Sequence, residues 1–136
     1  MAIQQSSRSS LLLAAGLDAA LVLVFVLIGR ASHQEDILGT LITGLPFLGG
    51  LLVGWLIMRA WRSPQKIVWT GTGIWLFAVG VGMLLRTVSG QGTEFSFVVV
   101  ATVVLGVFLL GWRGLAVLLR HRQARTRAVA RTLAER

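Results

Sequence analysis

Asp18 is the residue in this sequence that most needs a chemical explanation. It is the one charged residue in an apolar run from Leu11 to Gly29. An ionised carboxylate inside such a run costs roughly 2.5–3.5 kcal/mol at the centre of a membrane helix. It must therefore face other helices and find a partner. One reading makes it a proton, cation or substrate site. The other makes it half of a buried salt bridge or hydrogen bond that fixes packing. Residue type and position do not choose between the two.

Arg113 is the natural partner. It follows Gly111-Trp112 near the end of the last apolar run, and a long arginine side chain reaches depths its own Cα does not occupy. The sequence predicts an Asp18–Arg113 contact; the competing expectation extends Arg113 to lipid phosphate. A second polar group gathers in the connections at the opposite end. Arg86 and Glu94 flank the turn Ser89-Gly90-Gln91-Gly92-Thr93 and are expected to face each other across it, with Arg30, His33, Glu35 and Asp36 nearby. Exposed ion pairs contribute only about 0–1 kcal/mol, so solvated loop charge is the default reading of this outer-face cluster. His33, Glu35 and Asp36 match no established metal-ligand spacing, and no metal is expected.

Other chemistry is excluded by what is missing. There is no cysteine, so disulfides, thiolate nucleophiles and iron–sulfur clusters have no ligands. The chain carries no P-loop, HExxH, G-x-S-x-G or complete Rossmann glycine set. No pair of histidines falls within the apolar runs to hold a haem or quinol, and no lysine to form a Schiff base. A non-enzyme is expected, with no catalytic residue and no cofactor.

The elements that must position these residues are membrane helices. The chain of 136 residues is 55% hydrophobic and only 13% charged, with mean hydropathy +0.79. A soluble domain carries about a quarter charged residues. Four apolar stretches, about 11–29, 37–58, 67–85 and 95–118, each approach or exceed the roughly 20 residues that cross a hydrocarbon core as a helix. Lipid offers backbone amides no partners, which requires helices here. The fold class is therefore all-α: a polytopic four-transmembrane-helix bundle over 1–119, with a basic tail over 120–136. Ser10 is placed to cap the first helix, and Ser63-Pro64 to start the third. Asp18, the length of the first run and the lack of an A-x-A site make that run a retained helix rather than a cleaved signal.

Basic flanks set the orientation. Arg8, Arg59, Arg62, Lys66, Arg120, Arg122, Arg125, Arg127, Arg131 and Arg136 fall on one side, against Arg30 and Arg86 on the other. Both termini are expected in the cytoplasm, with Trp61, Trp69 and Trp112 near the same interface and Trp55 about a turn deeper. The net charge of +8 flanks apolar segments, so anionic lipid headgroups rather than nucleic acid are the expected partner. Val129 and Leu133 lie one turn apart, so the tail is expected to continue as a helix along the inner membrane surface.

Small residues recur at helical spacing: Gly50 with Gly54, Ala78 with Gly82, Thr102 with Gly106, Ala15 with Ala19 and Gly16 with Ala20. Such pairs let helix backbones approach where lipid supplies no hydrophobic drive. Internal packing is the first reading of Gly50, Gly54, Gly82 and Gly106; contact within a homo-oligomer or a larger membrane complex is the second. Pro46 is expected to kink the second helix, because it has no amide to donate.

Taken in order, Asp18, Gly29-Arg30-x-Ser32-His33, Pro46, Arg86, Gly90-x-Gly92-Thr93 with Phe97-Val98-Val99-Val100-Ala101, and Gly111-Trp112-Arg113 resemble a small prokaryotic membrane family known only as domain of unknown function three thousand and fifty-four. The resemblance covers nearly everything but the two tails. It implies a four-helix membrane protein and supplies no activity; the inner (plasma) membrane of a prokaryote is the expected location. It singles out Asp18, Arg30, His33, Arg86 and Arg113.

Two functions compete. One is transport of a small solute, a proton or a lipid-linked group, centred on Asp18. Small multidrug transporters are similar in length, helix number and an acid in helix one, but their surrounding motifs are absent and the strong charge bias opposes dual insertion. The alternative is a non-catalytic accessory or assembly subunit of a larger membrane complex. A membrane enzyme acting on lipid ranks third. A water-filled cavity reaching Asp18 favours transport; a dry Asp18–Arg113 bridge with an exposed small-residue face favours the subunit.

Overall fold

A computed structural model describes residues 8–30 and 36–134, and every element among them is helical. His33, Glu35 and Arg136 lie outside the described residues. Helix α1 is Arg8–Arg30, α2 is Ile37–Ile57, α3 is Thr72–Val88 and α4 is Phe95–Ala134. A π-helical turn, Ile67–Gly71, leads into α3. One end of the bundle, the tail end, holds the start of α1, the α2–α3 connection and the extension of α4. The other, the turn end, holds the end of α1, the start of α2 and the α3–α4 turn.

All four helices are long and apolar enough to cross a membrane, and no more than a third of each span is buried within the protein. The outward faces carry Leu12, Leu13, Ile37, Leu45, Leu76, Leu84 and many residues like them. A soluble chain of this size does not leave continuous aliphatic surface uncovered; lipid is the solvent that suits it. The protein is a multi-pass membrane protein.

The inward faces are stripes at i, i+4 spacing, as helical geometry requires. Ala14, Asp18, Val22 and Phe25/Val26 are buried on α1. Ile74, Ala78, Gly82 and Arg86 are buried on α3, and Ala101, Leu105, Leu109 and Arg113 on α4. Each polar residue thus occupies the next turn of an apolar stripe. The closest seam joins α2 to α3. A Cβ on Gly50 would stand 2.8 Å from the carbonyl oxygens of Phe77 and Ala78, and one on Gly54 3.0 Å from Ile74 Cα. On Gly82 it would meet Phe47 at 2.8 Å, and on Gly106 the Trp75 indole at 3.1 Å. These four glycines are internal.

Several boundaries differ from the sequence expectation. Ser10 lies inside α1, not at its cap. Ser63 does not cap α3: the π-helical turn begins after Lys66, and Ser63 Oγ lies 3.4 Å from Thr70 Oγ1 instead. Between α2 and Ser63, Arg59 takes the left-handed conformation (φ 48°), and a 3-10 turn spans Ala60–Arg62. Asp36 caps α2, accepting from the Gly39 amide at 3.0 Å. α2 remains helical through buried Pro46. The largest difference is α4. Its 40 residues form one helix, roughly 60 Å at 1.5 Å per residue, twice a hydrocarbon core of about 30 Å. The basic segment is thus an unbroken continuation of α4.

Candidate functional site

At the tail end, Asp18 and Arg113 meet with both side chains fully buried. The guanidinium grips the carboxylate with two bonds: Nη1 donates to Oδ1 at 2.8 Å and Nη2 to Oδ2 at 2.7 Å. Such fork-to-fork pairs are the strong, geometrically specific form of the interaction. Two indoles complete the carboxylate's shell. Trp112 Nε1 donates to Oδ1 at 2.7 Å and Trp55 Nε1 to Oδ2 at 2.9 Å. Arg113 in turn donates from Nε to the Pro64 carbonyl at 3.0 Å and from Nη1 to the Leu109 carbonyl at 2.7 Å. Each carboxylate oxygen therefore accepts two bonds, leaving little capacity for a substrate or proton.

The neighbouring backbone is shaped to admit this pair. The α2–α3 connection is not α-helical, which frees the Pro64 carbonyl to accept from Arg113. Non-helical backbone near membrane depth is tolerated where protein buries and satisfies it. In the π-helical turn the Gly71 amide donates to the Lys66 carbonyl at 2.8 Å, and a Cβ on Gly71 would come within 3.0 Å of Arg113 Cδ. Trp55 and Trp112, expected as interface anchors, are ligands of Asp18 instead. A signal was available: an indole N–H within an apolar span needs an acceptor, and Asp18 is the carboxylate such spans contain.

The turn end is built differently. Gly90 and Gly92 take positive φ, 72° and 77°. The Gly90 amide donates to the Thr87 carbonyl and the Gln91 amide to the Arg86 carbonyl. This is a Schellman motif, which a residue without Cβ at the left-handed position closes most easily. Its characteristic flanking contact, usually hydrophobic, is here polar. Arg86 donates from Nη1 to Gln91 Oε1 at 3.0 Å, from Nη2 to the Gln91 carbonyl at 3.1 Å and from Nε to the Gly92 carbonyl at 3.2 Å. Its guanidinium carbon also sits 4.4 Å from the Phe97 ring centroid. The expected pairing of Arg86 with Glu94 does not form: the motif supplies three nearer acceptors, and Glu94 points to solvent. Gln91 Nε2 donates onward to the Ile42 carbonyl at 3.2 Å, tying the turn to α2.

Arg86 opens onto a cavity of about 500 Å³ framed by all four helices. Arg30, Thr43 and Gln91 share its polar wall, with Arg30 donating to Thr43 Oγ1. Phe25, Phe47 and Phe97 line the apolar part, packed on one another with centroids 5.3–6.3 Å apart. Of the outer-face cluster, the fold thus brings Arg30 and Arg86 to one cavity and leaves Glu94 outside it. Asp18 does not line this cavity. Nor does it line an apolar groove of about 590 Å³ on the outer face of α3, bordered by Met58, Trp69, Leu76 and Gly80.

A family model described as protein of unknown function (DUF3054) matches residues 15–116. The match takes in Asp18, Arg30, Arg86 and Arg113 and stops where the exposed part of α4 begins. No curated protein and no solved structure matches the chain.

Proposed function

The chain belongs to the DUF3054 family, whose description assigns no activity, and from its geometry we propose a non-enzymatic membrane protein that binds a small solute in the turn-end cavity. The observation that carries this reading is the cavity itself. Small-molecule sites are concave, about 300–1,000 Å³, mostly apolar and fitted with a few convergent polar groups. A floor of phenylalanines beneath Arg30, Thr43, Arg86 and Gln91 has that form. Asp18, by contrast, is fully buried and accepts four bonds, so transport centred on it has less to support it. The Asp18–Arg113 pair is read instead as a clasp that holds α1 against α4 and closes the tail end.

The distribution of basic residues supports an orientation with both termini in the cytoplasm of a prokaryotic cell, the cavity facing outward, and the basic flanks against anionic headgroups. The absence of cysteine makes this directly testable. With Thr43→Cys, a membrane-impermeant maleimide is expected to label intact cells. With Arg125→Cys, labelling is expected only after lysis. The reverse pattern overturns the orientation. A Thr43→Cys protein that stays unlabelled even in detergent overturns the open cavity.

The apolar groove on α3 favours a second reading, an accessory subunit that seats a partner helix there. Native co-purification in mild detergent separates the two: a stoichiometric larger partner supports the subunit, and a lone species supports the binding protein.

A further inference from the structure

We infer that the turn-end cavity takes an amphiphile with an oxyanion head, a carboxylate or phosphate, held by Arg86 and Arg30 with its apolar body against the phenylalanine floor. This rests on the proposal that the cavity is a solute site. Arg86 is only 9% exposed. A buried guanidinium is costly unless its charge is met. The protein shows at its other end how it meets one: Arg113 receives the carboxylate of Asp18 through two bonds. Arg86 has no such counterpart among the described residues. Its acceptors are the Gln91 amide oxygen and the Gln91 and Gly92 carbonyls, all neutral.

Arg30, which has partners of its own, places a second guanidinium on the same wall. No described aspartate or glutamate lines the cavity beside Arg86: Asp36 caps α2, and Glu94 is exposed. Two arginines converging on a concave surface are the arrangement that recognises carboxylate and phosphate, because the planar fork presents paired donors to paired oxygens. Thr43 and Gln91 add polar groups beside them. Below that wall the lining turns aromatic, which excludes a fully hydrated ion as the best fit and selects a ligand polar at one end and apolar at the other.

The test uses the full-length protein in nanodiscs of neutral phosphatidylcholine, with radiolabelled decanoate as probe. Saturable binding is expected, displaced by unlabelled decanoate and by decyl phosphate. Decanol, decyltrimethylammonium and inorganic phosphate are expected to displace it at least about ten-fold less well, as the loss of a charge-assisted bidentate bond or of the apolar body implies. Arg30→Gln and Arg86→Gln are expected to weaken decanoate binding by a similar factor, and Arg86→Lys by less. The wild-type competition series decides the matter even if an Arg86 variant fails to fold. Equal displacement by decanol overturns the oxyanion head while leaving a solute cavity standing. Equal displacement by inorganic phosphate overturns the amphiphile and points to free oxyanion. Absence of saturable binding overturns the inference; only an unlabelled Thr43→Cys protein overturns the cavity as well.

Discussion

Two arginines at the ends of buried stripes meet different fates in this protein. Arg113 is fully neutralised inside the bundle, while Arg86 is held by uncharged oxygens beside a cavity. On that difference the proposal gives the first a structural role and the second a binding role. Removing one partner of a buried pair leaves an uncompensated charge and costs about 3–5 kcal/mol. Asp18→Asn and Arg113→Gln are each expected to lower the unfolding midpoint in detergent strongly. The double variant should lose clearly less than the sum, since adjacent partners are not additive. Additive losses would show that the clasp is not the stabilising unit. Charge reversal, Asp18→Arg with Arg113→Asp, is expected not to restore folding, because the Trp55 and Trp112 N–H groups would then face a cation. Recovery of a folded monomer on size exclusion would contradict the ligand role given to the indoles.

At the level of elements, the α2–α3 seam depends on absent side chains. Gly50 faces backbone atoms of α3 that cannot rotate away, so a methyl there must push the helices apart. Gly50→Ala is expected to destabilise by about 1–3 kcal/mol, the usual cost of overpacking. Gly16, which has nothing within 4 Å of its would-be Cβ, provides the contrast. Gly16→Ala is expected to be neutral or stabilising by up to about 1 kcal/mol, because alanine is the better helix former. Thermal unfolding of the two variants side by side checks this; a larger loss at Gly16 would mean that its face is an interface rather than lipid-exposed. The irregular α2–α3 connection matters equally, because a regular α-helical start to α3 would take up the Pro64 carbonyl that Arg113 uses.

Across the whole molecule, charge and polarity are segregated end to end. The tail end carries most of the basic residues, the saturated clasp and the long exposed continuation of α4; the turn end carries the cavity. Arg8, Arg59, Arg62 and Lys66 remain at the tail end even without that continuation. Truncation after Leu119 is therefore expected to leave the orientation intact, read as unchanged labelling of Thr43→Cys in intact cells. Loss of that labelling with gain of cytoplasmic labelling would make the α4 extension the determinant of topology.

Sequence alone determined that this is a four-helix membrane protein, because lipid imposes a minimum apolar length and a self-satisfied backbone on any segment that crosses it. Sequence also turned Asp18 toward the other helices, because a carboxylate in an apolar run needs a partner, but it left Arg86 among solvated loop charges, whereas the structure buries it. Sequence also paired Asp18 with Arg113, with lipid phosphate as the competitor; only the tertiary structure chose between these and supplied the remaining partners. The bonds to Asp18 come from residues 37, 94 and 95 positions away, and such meetings depend on how each helix is rotated about its axis. The Schellman turn gave Arg86 to Gln91 and Gly92 rather than to Glu94, a matter of hydrogen-bond closure that residue charge does not announce. The cavity belongs to neither helix nor turn; it is the space left where four helices diverge. Asp18, the residue that first demanded chemistry, is fully buried and bonded to Arg113, Trp55 and Trp112, while Arg86 lines the cavity.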